Sequence, residues 1–394
     1  MKTIVKLVLF SVLFSCSREQ KSPNKISNLS IKKTVSICKS KETKSNSSQN
    51  KINEIDNYGK DFVYFKKLMK KYEEPSQFFT VSGSGSQIIN GKKGTVLYVD
   101  PNDFETLDGK EVTDSIKVEL KELLTTNELL RSGAQTVSNG ELLISGGSYY
   151  IDATSNGKKL KLKSGRILKA EFPKTSNDNM LVYYGSFKNN LMDWKTSNQQ
   201  FPQRPYLEEK RIDTTGNALF SRIDKKFVNL SKAGRVYIAT DTVEMSEVEY
   251  KEYQDQIKEE NQLIKEQNKL ASKLYGPVNL TNSGWVNCDR PNPYLGNDIF
   301  ISVNGSEGVK SATAFIVFKG MNSLVQSYSF SSKNRMFYFR NLPPNAEVTL
   351  IAYTIINGKI LSCKENLFLN KKSGINIILN ETSESDFKKM LVVK

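Results

Sequence analysis

The sequence predicts a mainly β protein: two antiparallel β-sandwich domains joined by a mixed region with one long helix. Three observations predict it. Apolar and polar residues alternate through short runs, as where Ile116, Val118 and Leu120 share one face and Lys117, Glu119 and Lys121 the other. Asn-Gly or Asp-Gly pairs at 90–91, 108–109, 139–140, 156–157 and 357–358 punctuate these runs with the residues that tight hairpins favour. One stretch, 246–273, keeps helical spacing over many turns.

The chain opens with Lys2 and Lys6 around an apolar run, Leu7 to Phe14, and Ser15 stands directly before Cys16. A basic start, an apolar run too short to span a bilayer and a small residue at the end are the parts of a secretory signal peptide. Leu13-Phe14-Ser15-Cys16 resembles a bacterial lipobox. The resemblance implies a lipoprotein signal peptide over 1–15, cleavage before Cys16, diacylglyceride on its thiol, and the lipid bilayer as partner through acylated Cys16. Each buried methylene contributes about 0.8 kcal/mol, so several acyl chains hold a protein at a membrane durably. Ser17, rather than Asp, after the cysteine implies the outer membrane. Arg18-Glu19-Gln20-Lys21 lacks the acidic cluster of surface-exported lipoproteins, which implies a periplasm-facing anchor.

Residues 16–60 are rich in Ser, Asn and Lys without periodicity and read as a flexible tether, because they bury too little surface to offset chain entropy. The 394 residues carry a formal charge of +15, and fourteen Lys/Arg against five Asp/Glu fall between Ser17 and Tyr72. The basicity therefore lies beside the anchor, where anionic head groups attract it. It does not form a basic folded face with interleaved aromatics, which speaks against nucleic acid as a partner.

The chain has no histidine. That removes Ser-His-Asp and Cys-His nucleophiles, His-ligated zinc or haem and imidazole proton shuttles. Carboxylates, Lys, Tyr and Cys are what remains for chemistry. No catalytic set, metal site or cofactor-binding loop stands out among them. Beyond Cys16, Cys38 lies in the tether and Cys288 and Cys363 in the C-terminal region. Thiols outside the cytoplasm tend to pair, so the arithmetic favours a Cys288–Cys363 disulfide.

Phe65, Leu68, Met69 and Tyr72 give a short helix over 61–75 that docks on the domain C-terminal to it, and Pro75 closes it. Short strands bounded by turn residues then run through 76–173, interrupted by a helical Thr126–Leu130. Gln77-Phe-Phe-Thr80, Gly91-Lys-Lys-Gly-Thr-Val96, the strand with Glu119 and Glu122, Gln135-Thr-Val-Ser138 and Gly146-Gly-Ser-Tyr149 occur in that order. Together they resemble the ZU5-like β domain of Bacteroidota envelope lipoproteins, including gliding-associated ones. Some ZU5 domains cleave themselves next to a His-Phe-Ser sequence, an activity that the absence of histidine speaks against. Gly146-Gly147 reads as a bulge or a close strand contact rather than a phosphate loop.

The connecting region, 174–245, contains strands at Asn179–Tyr184 and Arg235–Ala239 and the pair Asp193-Trp194. That pair reads as a surface for stacking a sugar or, the preferred reading, as a core or docking contact. In the long helix, 246–276, Ser246 with Glu249 forms a capping box and Gly276-Pro277 ends it. Glu260 and Gln267 break its apolar stripe, so a spacer or insertion is preferred over a helix that docks a partner.

The C-terminal β-sandwich, 277–394, begins with Gly284-Trp285-Val286-Asn287-Cys288-Asp289-Arg290, which resembles a motif of the same lipoprotein group. Trp285, Asn287, Asp289 and Arg290 are the candidate binding residues. The alternative, which we prefer, is a structural corner with Trp285 buried and Asp289 and Arg290 satisfying turn amides. Strands come next at Ile299–Val303, Ala312–Phe318, Leu324–Phe330, Met336–Phe339, Val348–Tyr353, Lys359–Cys363 and Ile375–Leu379, then a helix at Thr382–Leu391. Phe337-Tyr-Phe-Arg-Asn-Leu-Pro343, the Val348 strand and Gly358-Lys359 resemble a transthyretin-like or carboxypeptidase-regulatory sandwich. Such a resemblance implies a spacer or binder without catalytic residues.

The function expected is therefore a membrane-anchored, non-enzymatic structural or binding module of the cell envelope, with an envelope protein as candidate partner. One alternative is a carboxylate-dependent envelope hydrolase using Glu119 with Glu122 or Asp193. Residues three apart on a strand face opposite sides, which counts against the first of those pairs. The other alternative is an accessory component of a gliding or secretion assembly, acting through the 246–273 helix.

Overall fold

The computed structural model describes residues 61–393 except 62, 84, 189–190, 211–219, 223–227, 231–235, 239–240, 244–246, 295, 305–307 and 370–373. Cys16, Cys38, the tether and the Ser246 cap lie outside the described residues. The chain is mainly β, with several antiparallel sheets.

The first sandwich sets a large sheet against a four-stranded one. The large sheet runs Gln77–Val81, Ile116–Leu123, Glu141–Ser155, Gly284–Pro291, Leu181–Lys188, Leu191–Gln200. The smaller runs Val278–Leu280, Leu168–Glu171, Val96–Val99, Gln87–Asn90. Val118, Leu120, Ile151, Val182 and Val286 from one layer meet Leu97, Ala170 and Val278 from the other in a single core. The alternation that marked Ile116–Leu123 as a strand half-exposed to solvent holds over Ile116–Leu120 and ends at Glu122 and Leu123, which are both buried.

The strand Gly284–Pro291, expected in the C-terminal sandwich, belongs to this first sheet, where it lies between Glu141–Ser155 and Leu181–Lys188. The intervening segment leaves and returns at one place. Gly276 N donates to Pro202 O at 2.6 Å, Tyr275 N to Phe172 O at 3.0 Å and Lys174 N to Lys273 O at 2.7 Å. The long helix thus ends an excursion of the chain. Asn268, seven residues after Asn261 on one face, pairs with both Leu207 backbone groups as Asn261 does with those of Lys210. Two side-chain amides thereby tie the extended 201–210 segment along the helix.

The second sandwich packs Ser329–Ser331, Met336–Leu342, Asn297–Asn304 and Ile375–Ile378 against Leu324–Gln326, Thr313–Phe318, Glu347–Ile356, Lys359–Phe368 and Asn380–Thr382. The expected single strand Leu324–Phe330 is split, because the chain crosses from one sheet to the other at Ser327 and Tyr328. Ser327 anchors that crossing on Ala314 through its backbone N–H and its hydroxyl.

Three helices cover the outer face of the five-stranded sheet: α1 (residues 63–72), α2 (Thr126–Arg131) and α4 (Glu384–Met390). Leu68 and Tyr72 of α1, Leu129 and Leu130 of α2 and Phe387 of α4 pack on Phe315, Ile351 and Tyr353. Because both faces are packed, Val348–Thr354 is buried at every position, Thr349 and Thr354 included, and the alternation of buried and exposed positions is lost. Asp61 closes the arrangement by accepting the amides of Asn357 at 2.9 Å and Gly358 at 2.8 Å, the hairpin turn of the same sheet. Between the strand Leu191–Gln200 of the first sandwich and the long helix α3 (Glu247–Lys273), the chain holds two short paired ladders, Phe220–Arg222 with Asp241–Val243 and Val228–Leu230 with Val236–Ile238.

Phe387 is fully buried where α4 meets the sheet. Phe387→Ala is expected to lower the stability of the fold by about 3–5 kcal/mol, the usual cost of such a cavity, as read from the urea midpoint at unchanged slope.

Candidate functional site

The string predicted to carry a site, 284–291, sits mid-sheet, and its neighbour decides its geometry. Asn287 pairs with Ser148 and Asp289 with Ser145, so Gly146 and Gly147 together oppose Cys288: a β-bulge on the neighbouring strand. A Cβ on Gly146 would come within 2.9 Å of the Cys288 carbonyl, and Gly147 has φ of 130°. Ser145 and Ser148 are three apart and would face opposite ways on a regular strand. Across the bulge both hydroxyls donate to Asn287 Oδ1, at 3.2 and 2.9 Å. Asn287 Nδ2 in turn donates to Asp289 Oδ2.

Asn287 and Asp289 are both wholly buried, and among the described residues Asp289 Oδ1 has no hydrogen-bond partner. Burial pushes the Asp289 carboxyl well above its ordinary value, against the opposing pull of Ser145, the Gly146 amide and Asn287. Tyr183, on the next strand, is pushed up to about 12, first by burial and then by the Asp289 charge. Trp285 is half-buried, packed by Tyr150, Phe187 and Trp194 at ring distances of 5.2, 6.2 and 6.4 Å. Arg290 is partly exposed and donates from Nε to Asp178 at 2.8 Å. Of the four candidate binding residues, then, Asn287 and Asp289 are sealed inside a polar knot, and only Trp285 and Arg290 reach solvent. Asp289 meets Asn287, Ser145 and the Gly146 amide of the bulge, inside the sheet and not at a turn.

The knot borders the contact between the sandwiches. Asn322 of the second donates through its amide to the carbonyls of Leu124 at 3.1 Å and Ser145 at 3.0 Å, and its own backbone carbonyl accepts Ser145 N. Ser323 reaches Leu143 O at 2.7 Å, and Thr136 exchanges backbone hydrogen bonds with Leu324 through its N–H and hydroxyl. Gln135 holds Gln326 N and Met192 O, and its carbonyl accepts Trp194 Nε1 at 2.6 Å. Trp194 is fully buried, so the core reading of Asp193-Trp194 applies; Asp193 accepts Asn139 N at 3.0 Å.

The expected Cys288–Cys363 disulfide is not formed. Cys288 lies in the core of the first sandwich and Cys363 in that of the second, each a free buried thiol, so no approach between them is open. Burial pushes Cys288 well up and Cys363 up to about 12.

The carboxylates of the hydrolase alternative are also employed otherwise. Glu122, nearly inaccessible, accepts Thr95 N at 3.0 Å, Lys93 N at 2.9 Å and Gln77 Nε2 at 2.8 Å. It clamps the 91–95 loop, and Gly91 must lack a Cβ because one would stand 2.8 Å from the Glu122 carboxylate. Glu119 pairs with Asp152 in register and faces the other way. Among the described residues, no group of three or more Cys, Asp and Glu is placed to hold a metal ion. Comparison of the chain with protein-family models, with curated proteins and with solved structures finds no match.

Two outcomes are expected. Because burial raises the Asp289 carboxyl above its ordinary value, the folded chain binds that proton more tightly than the unfolded chain, and stability falls as pH rises through and above the ordinary carboxylate range. Asp289→Asn removes that penalty, so its thermal midpoint should exceed that of the unsubstituted chain at pH 8, with the gap closing by pH 4. Iodoacetamide should modify neither Cys288 nor Cys363 in the native protein and both in urea without reductant, as peptide mass spectrometry would read.

Proposed function

We propose that the chain is an envelope lipoprotein, held at the periplasmic side of the outer membrane by acylated Cys16, whose two sandwiches act as a non-enzymatic structural or binding module. Leu13-Phe14-Ser15-Cys16 behind its basic and apolar run carries this reading. The folded region supports it from the other side. The Asp289 carboxyl, which burial raises well above its ordinary value, is enclosed between strands and bonded to Asn287, a place in the interior of the sheet. Side-chain amides and hydroxyls stitch the sandwiches together, which suits a rigid body presented on a tether. Among the described residues, no helix is long and apolar enough to cross a membrane, so attachment falls to the lipid in this reading. The ZU5-like identity of 76–173 and the transthyretin-like identity of the C-terminal sandwich belong to the same proposal.

The test is expression with the native leader in a bacterium that processes lipoproteins, fed an alkyne fatty acid. The unsubstituted chain should take up the label and enter the detergent phase on Triton X-114 partition, whereas Cys16→Ser should do neither. An unlabelled wild-type chain in the aqueous phase would overturn the proposal.

A further inference from the structure

A cleft of about 610 Å³ lies on the outer face of the five-stranded sheet beside the C-terminal end of α4, a size typical of small-molecule sites. Thr349, Lys364 and Asn366 line it from the sheet, with Lys319 beside them; Lys389, Val392 and Val393 line it from α4 and the segment after it. The C-terminal wall is pinned rather than loose. Val393 exchanges hydrogen bonds with the Asn127 side chain at 2.7 and 3.1 Å, and Lys364 Nζ donates to Val392 O at 2.6 Å.

The polar groups of the cleft are unbalanced. Thr349 donates its hydroxyl to Asn366 Oδ1 at 2.8 Å, which turns the amide so that its nitrogen is left as a donor. Lys319 has Glu347 at 3.8 Å and Lys389 has Asp386 at 2.8 Å. Among the described residues Lys364 Nζ has the Val392 carbonyl as its partner, and burial pulls its ammonium down. Three lysines and the Asn366 amide therefore line a cleft whose described lining includes no carboxylate, with Glu347 and Asp386 pairing two of those lysines from beside it. Separate lysines act as point charges around a ligand rather than as the planar fork of an arginine, which suits a tetrahedral phosphate.

We infer that this cleft binds a ligand carrying a phosphate group, with Lys364 as the central contact, the Asn366 amide donating beside it, and the apolar part of the ligand against Val392 and Val393. The source is a soluble phosphorylated molecule or a lipid head group, and the inference holds whether or not Cys16 is acylated.

The test is a lysine acetylation footprint of the purified full chain in detergent, read by peptide mass spectrometry. Inorganic phosphate, glycerol phosphate and phosphatidylglycerol in mixed micelles are the probes, against sodium chloride of equal ionic strength. Acetylation of Lys364 should fall saturably while that of the exposed Lys158 does not change. Protection by the free phosphates assigns a soluble ligand, and protection by phosphatidylglycerol alone assigns a lipid head group. Lys364→Gln, followed through Lys389, should weaken binding about tenfold, the worth of one charge-assisted hydrogen bond. Lys389→Gln, followed through Lys364, should also weaken it and serves if the first variant misfolds. No protection by any probe, or protection that persists unweakened in both variants, would overturn the inference.

Discussion

Two adjacent residues without side chains, Gly146 and Gly147, set the terms on which the strand 284–291 enters the first sheet. The bulge they form turns Ser145 and Ser148 to one acceptor, Asn287 Oδ1. It also lets the Cys288 carbonyl approach closer than a Cβ would permit. A bulge adds a residue to one strand and re-aims the side chains beside it. Here it allows a central strand to carry Asn287 and Asp289 where a two-layer β protein ordinarily buries apolar side chains.

The same place binds the second sandwich. Ser145 exchanges both backbone groups with Asn322, whose amide also takes the Leu124 carbonyl. Backbone groups buried between two sandwiches need partners, and Gln135, Thr136, Asn322 and Ser323 supply them. On the far side, the five-stranded sheet is closed by helices drawn from residues 63–72, 126–131 and 384–390, far apart in sequence. Cores on both faces of one sheet, and a polar seam to the other, join elements from all along the described chain.

Much of the strand pattern was legible in the sequence because it depends on neighbours along the chain. The pairs at 139–140, 156–157 and 357–358 form tight hairpin turns, with Asn φ of 50°, 50° and 51°. Asn90-Gly91 does not: neither residue has positive φ, and Gly91 instead makes room for Glu122. The same dipeptide serves two physical needs, and only the partner across the sheet separates them. Likewise Leu324–Phe330 reads as one strand, although its halves join opposite sheets, since alternation carries no record of which sheet a residue joins. The candidate binding residues were found as a group, but the contacts that seal Asn287 and Asp289 come from Ser145 and Ser148, more than a hundred residues away. The lysine cleft had no local signal, because its walls meet only when the C-terminal segment lies on the sheet.

By itself, the sequence determined what nearest neighbours impose: strands and turns by alternation and Asn-Gly pairs, the long helix by its spacing, a β-dominated fold, and the want of imidazole chemistry. Tertiary structure alone decided that 284–291 returns to the first sheet, that Cys288 and Cys363 stay apart in separate cores, that Glu122 is a clamp, and that Lys364 faces a cleft. The reason is that burial and hydrogen-bond satisfaction belong to pairs of distant residues, whereas propensity and periodicity are properties of a short stretch read alone.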